Sequence, residues 1–169
     1  MRTALSLAFA LLLAAFLPAC GFQLRGTADL PFDTLFMPAA TAPGIVLDLR
    51  RNIQSGTHTT LVDDPKKADA VLEFSGEIRD KLILSLAATG RVREYQLRYR
   101  VGFRVHDGKG GEFVPSSSVL LTRDITFNDS DVLSKEAEEG LLYRDMQTDM
   151  VQQIMRRLAA AQRPKPAAQ

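Results

Sequence analysis

The stretch that most constrains this chain runs from Ala70 to Val105, where apolar and polar residues alternate one by one. Between Ala70 and Leu86 the apolar residues Leu72, Phe74, Ile78, Leu82, Leu84 and Leu86 hold even positions, and Glu73, Ser75, Glu77, Arg79 and Lys81 hold odd ones. From Tyr95 to Val105 the phase inverts. Tyr95, Leu97, Tyr99, Val101, Phe103 and Val105 are odd, while Gln96, Arg98, Arg100 and Arg104 are even. Successive side chains of a strand point to opposite faces, so a period of two marks strands with one face buried and one in water. The inversion also constrains the pairing. For the apolar faces to coincide in an antiparallel hairpin, partner positions must sum to an odd number. A two-residue turn at Thr89-Gly90 meets that condition. His106-Asp107-Gly108-Lys109-Gly110-Gly111 signals a second hairpin, followed by a strand from about Phe113 to Phe127 with Val119, Leu121, Ile125 and Phe127 in one phase. Pro115 near its start lacks an N–H and points to a sheet edge.

Helical spacing flanks this block. Ile45, Leu49 and Ile53 repeat every four residues, with Thr41 or Gly44 as candidate caps and Gly56 just past the end. Phe32 to Met37 reads as a short strand closed by Pro38, and His58 to Val62 as another. A long helix is expected from Asp131 or Ser134, its candidate N-caps, to about Ala160. Glu136, Glu138 and Glu139 lie in its early turns, where the helix dipole favours acids. Leu142, Met146, Met150 and Ile154 form its apolar stripe, which Leu141, Val151, Met155 and Leu158 widen. The order β-α-(β)-β-β-β-α predicts an α+β, two-layer sandwich: two helices packed on one face of a mostly antiparallel four-stranded sheet.

The first residues do not belong to that domain. Arg2 precedes the apolar run Ala4 to Leu17, and Pro18-Ala19-Cys20 follows. A run of 14 residues is short of the roughly 20 that a membrane-crossing helix needs. A basic start, an apolar core and small residues at the end describe a secretory signal peptide. Leu17-Pro18-Ala19-Cys20 resembles a bacterial lipobox, although proline is an uncommon occupant of its position, and Cys20 is the only cysteine in the chain. The reading is a signal peptide over residues 1–19, a domain over 20–161 and a disordered tail over 162–169. Cys20 is then the lipidation site, with S-diacylglycerol and N-acyl groups. Two or three acyl chains hold a protein on a membrane far more firmly than one. Gly21 stands where inner-membrane lipoproteins carry an acid, which favours the outer membrane facing the periplasm. Removing residues 1–19 takes away Arg2 and leaves 20 basic against 20 acidic residues, a mature charge of zero.

An enzyme reading finds little support. GxSxG, GxGxxG, HExxH and the P-loop are missing from the sequence. His58 and His106 read as surface polar residues, and Asp63-Asp64 and Asp129 with Asp131 as loop or capping acids. No catalytic residue, metal ligand or cofactor site is expected, and a balanced charge offers no attraction for nucleic acid. Arg98, Arg100 and Arg104 read as the wet face of a strand, with Glu73 and Glu77 across from Arg104 and Arg100. Arg91 and Arg93 project from a hairpin tip with fewer acidic neighbours, and Lys135 sits at a helix start where backbone amides attract anions.

Cys20-Gly21-Phe22-Gln23-Leu24-Arg25-Gly26 resembles the CGF-x-LRG opening of the LptE family of lipopolysaccharide-assembly lipoproteins. Weaker matches follow in order: Ala68-Asp69-Ala70-Val71-Leu72, Arg93-Glu94-Tyr95-Gln96-Leu97, Thr122-Arg123, and Gln152-Gln153-Ile154-Met155-Arg156-Arg157-Leu158. The resemblance implies an outer-membrane lipoprotein that sits in the lumen of the LptD β-barrel as a plug. It implies assistance in assembling that barrel, binding of lipopolysaccharide, and help in delivering it to the cell surface. Lipid A carries phosphates and acyl chains, so Arg91, Arg93 and Lys135 are the candidate cations for it. Two other classes stand beside this reading: a lipid-binding lipoprotein serving a different transport system, and a lipid-anchored periplasmic hydrolase.

Overall fold

A computed structural model describes residues 29–38 and 42–163 of the 169. The signal-peptide region, Cys20, Thr41 and the tail from residue 164 lie outside the described residues. The elements are β1 (Thr34–Phe36), α1 (Pro43–Gly56), β2 (Thr60–Val62), β3 (Ala70–Leu86), β4 (Val92–His106), β5 (Glu112–Thr126) and α2 (Val132–Ala159).

Two helices cover one face of a sheet, as the alternation predicts, but the sheet is five-stranded and mixed, in the order β2-β1-β3-β4-β5. This corrects the expected mostly antiparallel four-stranded sheet in its strand count and in the parallel pairing of β1. β1 runs parallel to both β2 and β3, while β3, β4 and β5 are antiparallel neighbours. β1 and β2 have three residues each, too few to display a period. They are held by polar clasps. The Asp69 carboxylate accepts from the Thr34 N–H at 2.9 Å and from its hydroxyl at 2.7 Å. The Thr59 hydroxyl donates to the Phe32 carbonyl at 3.0 Å.

α1 buries Ile45, Leu49 and Ile53 completely, and α2 buries Met146, Met150, Val151, Ile154 and Leu158. Pro43 starts α1 in the first turn, where its missing N–H costs nothing. Ala42 is the N-cap residue of α1 and Asp131 that of α2, and neither gives a side-chain cap. The odd residues of β4 from Leu97 to Val105 are all fully buried, and Val114, Val119, Leu121 and Ile125 of β5 join them. β5 is an edge strand, as Pro115 predicts, and its ladder to β4 shifts register between Val105↔Val114 and Phe103↔Ser117, the interval that holds Pro115.

β3 departs from expectation. Its first half follows the odd-sum rule, with Leu72 opposite Val105 and Phe74 opposite Phe103. A bulge then places Gly76 opposite Gly102 and leaves Ser75 as the extra residue. From there to Ile83 the partners sum to an even number: Glu77 faces Val101, Arg79 faces Tyr99 and Lys81 faces Leu97; a second irregularity follows at Ser85, which faces Glu94, before Leu86 faces Val92. The even residues have therefore turned to the other side of the sheet. Ile78, Leu82, Leu84 and Leu86 are 53, 45, 48 and 55% exposed. The turn shares the even sum, with Leu86 opposite Val92. Its loop is not Thr89-Gly90 but Ala88-Thr89-Gly90, with Ala87 donating to the Arg91 carbonyl at 2.7 Å and accepting from Gly90 N–H at 2.9 Å. Gly90 has φ of +79°, the left-handed conformation that closes a three-residue hairpin loop.

Candidate functional site

The sheet surface opposite the helices is built by the bulge. Beyond Gly76, β3 contributes Ile78, Asp80 and Leu82, which pair with Arg100, Arg98 and Gln96 of β4. Those in turn face Leu120, Thr122 and Asp124 of β5. Most charge on this face is matched across strands. Arg98 grips Asp80 through two nitrogens, Nε at 2.9 Å from Oδ1, and this holds the Asp80 carboxyl below its usual range. Arg104 donates to Glu73 at 2.8 Å and lowers that carboxyl in the same way. Gln96 donates to Asp124 at 3.1 Å. Arg100 is different: its cross-strand neighbours are Ile78 and Leu120, both apolar. The expected Glu77–Arg100 pairing does not form, because the bulge carries Glu77 to the helix side.

On that side Glu77 meets a polar network. The Tyr99 hydroxyl donates to Glu77 at 2.7 Å, and Arg79 donates to Glu77 at 2.9 Å and to Gln147 of α2 at 2.7 Å. Gln147 passes the connection to Asp48 of α1 at 2.6 Å. Burial, with the Glu77 carboxylate second, pushes the Tyr99 hydroxyl well above the ordinary phenol range. Lys81 donates to Glu139 at 2.8 Å, and the Tyr143 hydroxyl to the Asp80 carbonyl at 2.8 Å. α2 thus presents Glu139, Tyr143 and Gln147 where the polar residues of distal β3 arrive. The shifted register is matched from both sides.

The three cations singled out in the sequence gather toward one end. Arg91 closes the β3–β4 turn, and the Arg93 carbonyl accepts from Phe127 N–H at 2.7 Å. Both arginines are exposed. Lys135 reaches Thr126, which lies opposite Glu94 next to Arg93. It is more enclosed than a free cation, for its ammonium donates to Glu138 at 2.9 Å and to Thr126 at 3.1 Å. An anion at Lys135 would have to displace or share Glu138. Leu133 beside it is 83% exposed.

The other singled-out residues have local duties. His106 is half-buried: its Nδ1 accepts from Gly108 N–H at 3.0 Å, and its Nε2 stands 3.3 Å from Glu73. That corrects its reading as a surface residue, whereas His58 is exposed. Asp64 accepts from Lys66 N–H at 2.9 Å, and Asp63 stands 4.0 Å from Arg50. Among the described residues no group of three or more His, Cys, Asp and Glu is placed to hold a metal ion. The exposed apolar surface of distal β3 is what sequence reasoning missed. Its one available signal was Ser75-Gly76, since a glycine inside a strand often marks a bulge.

Two helices on a mixed sheet with three long antiparallel strands define an α+β two-layer domain. Solved structures share it. One is the solution structure of an uncharacterized lipoprotein B from Nitrosomonas europaea, 42% identical, covering 83% of this chain and 91% of that one with a TM-score of 0.70. Another is the rare lipoprotein B from Shewanella oneidensis, 24% identical, covering 75% of this chain and 94% of that one with a TM-score of 0.64, a likeness of fold. A family model described as "LptE: Lipopolysaccharide-assembly" matches residues 32–158. The LPS-assembly lipoprotein LptE of Yersinia enterocolitica is 31% identical over 142 residues, 82% of this chain and 68% of the relative. That of Pectobacterium atrosepticum is 30% identical over 145 residues, 82% of this chain and 76% of the relative. The chain belongs to the LptE family of lipopolysaccharide-assembly lipoproteins.

Proposed function

We propose that this chain is an outer-membrane lipoprotein, anchored through acyl groups on Cys20, that occupies the lumen of an LptD-type β-barrel and assists its assembly. In that position it helps insert lipopolysaccharide into the outer leaflet and performs no catalysis of its own. The observation that carries this reading is the family match over residues 32–158, with relatives named for lipopolysaccharide assembly along most of the chain. The exposed Arg91 and Arg93, with Leu133 and Lys135 nearby in the fold, offer cations beside apolar groups, the combination a phosphorylated, acylated glycolipid requires.

The test is detergent extraction of membranes carrying the affinity-tagged full chain. A large β-barrel recovered in stoichiometric amount is the expected result. Recovery of the lipoprotein alone, or with the components of another transport system, overturns the plug. For the cations, reversal of charge at Arg91, Arg93 and Lys135 together is expected to weaken lipopolysaccharide binding at least tenfold. Unchanged binding removes them from the site.

A further inference from the structure

β1 lies against β3 only at Ala70 and Val71, so among the described residues no strand covers that side of β3 from Leu72 onward. From Gly76 to Leu86 this edge is roughly 35 Å long at about 3.3 Å per residue. An uncovered edge presents a row of backbone donors and acceptors to any extended chain. Native edges are usually blunted by charge, and here the blunting is partial. Arg79, Lys81 and the Asp80 carbonyl are tied to α2 by Gln147, Glu139 and Tyr143. Past them come Leu82, Ile83 and Leu84, at 45, 58 and 48% exposed, and then Leu86.

The apolar side chains here do not serve the domain's own core. The polar partners that α2 offers Arg79 and Lys81 specify the shifted register, and that register is what turns Ile78, Leu82, Leu84 and Leu86 outward. Two observations select the occupant. On the same face Glu73 and Asp80 are paired with Arg104 and Arg98, and the charge of Asp124, which Gln96 hydrogen-bonds, is offset by Arg100, so these six charges sum to zero and give little to draw an anionic lipid. A row of unpaired backbone groups is satisfied by another backbone, which an acyl chain cannot supply. We infer that the free edge and outer face of distal β3 dock an extended strand of a partner polypeptide, supplied by the barrel of the proposed function, on which this inference rests. Backbone pairing along the edge gives affinity, and Leu82 and Leu84 give the apolar anchor.

The experiment places a photo-crosslinking side chain at Leu84 or, as a control on the helix side, at Leu141 in the full-length chain. Leu84 is expected to crosslink to the barrel at least ten times more than Leu141. Amides of residues 82–86 are expected to exchange at least tenfold more slowly in the purified complex than in the free protein. Crosslinks from Leu84 to lipopolysaccharide, to the bilayer or to a second copy, with the barrel still copurifying, overturn the inference and leave the proposed function standing. Unchanged amide exchange overturns strand addition. Loss of the barrel from the wild-type preparation overturns both. A double variant, Leu82→Lys with Leu84→Glu, is expected to melt like wild type and to retain less than a tenth of the barrel; full retention counts against the edge.

Discussion

The two halves of β3 carry the same alternation and put it to opposite use. From Ala70 to Phe74 the even residues enter the core, with Leu72 fully buried and Phe74 7% exposed. From Ile78 to Leu86 the even apolar residues are exposed, and the odd residues Arg79 and Lys81 meet α2 through an ion pair and hydrogen bonds. Between them lies one unpaired residue, Ser75. Period-two patterning states that a strand has two unlike faces. Which face is inside is decided by the ladder, and one extra residue reverses it. The proximal half is a core strand; the distal half carries an apolar surface that the described residues leave open.

The contrast can be tested by substitution, beginning with the deepest effect. Phe103, fully buried opposite Phe74, is expected to cost about 3–5 kcal/mol when changed to alanine, measured by urea unfolding. Gly102 lies under the bulge, where an added Cβ runs into the Ser75 hydroxyl. Gly102→Val is expected to destabilise by about 1–3 kcal/mol. In a Ser75→Gly background most of that loss should disappear, a coupling that a double-mutant cycle reads directly. An additive cycle would show that Ser75 and Gly102 do not form a unit.

A pH titration reaches the other neighbour of β3. The Thr34 hydroxyl, helped by its N–H, holds the Asp69 carboxyl below its ordinary value of about 4. A carboxyl lowered by folding contributes stability that is complete above its unfolded pKa and is lost as pH falls through the folded one. Asp69→Asn is therefore expected to flatten the fall of stability below about pH 4, and thermal melting across that range checks it. The smallest effect belongs to the outer face. Leu82→Gln is expected to change stability by less than about 0.5 kcal/mol, despite standing in the same alternation as Leu72. A larger loss would mean that the distal half is core after all.

Much of this was legible in the sequence. The buried parity of β4 and β5, the Ile45, Leu49 and Ile53 face of α1 and the Met146, Met150 and Ile154 stripe of α2 follow from period alone. The parallel pair β1 and β2 was not legible as such, because three residues show no period and their neighbours come from distant segments. The distal face was hidden because a bulge and a three-residue loop each shift register without disturbing the alternation. The matched sequence segments also have structural explanations. Asp69 clasps Thr34, Glu94 accepts from Ser85 at 2.7 Å, Tyr95 packs edge-on to Phe127, and Arg123 donates to Asp149 at 2.6 Å. Those residues hold strands and α2 in place, which is why matching them identifies a fold more readily than a ligand site. Arg91, Arg93 and Lys135 converge because β3 turns back into β4 at the end where α2 begins, a convergence that spacing in the sequence does not display.

At the other end of the molecule, Arg163 Nε donates to the Pro31 carbonyl at 2.8 Å across 132 residues of sequence. The two ends of the described chain thus leave side by side, at the opposite end of the sheet from the β3–β4 turn. Pulling on both ends at once would strain this junction before any load reached distal β3. A tether attached there would act like a handle, holding the domain at the end of the sheet away from the β3–β4 turn.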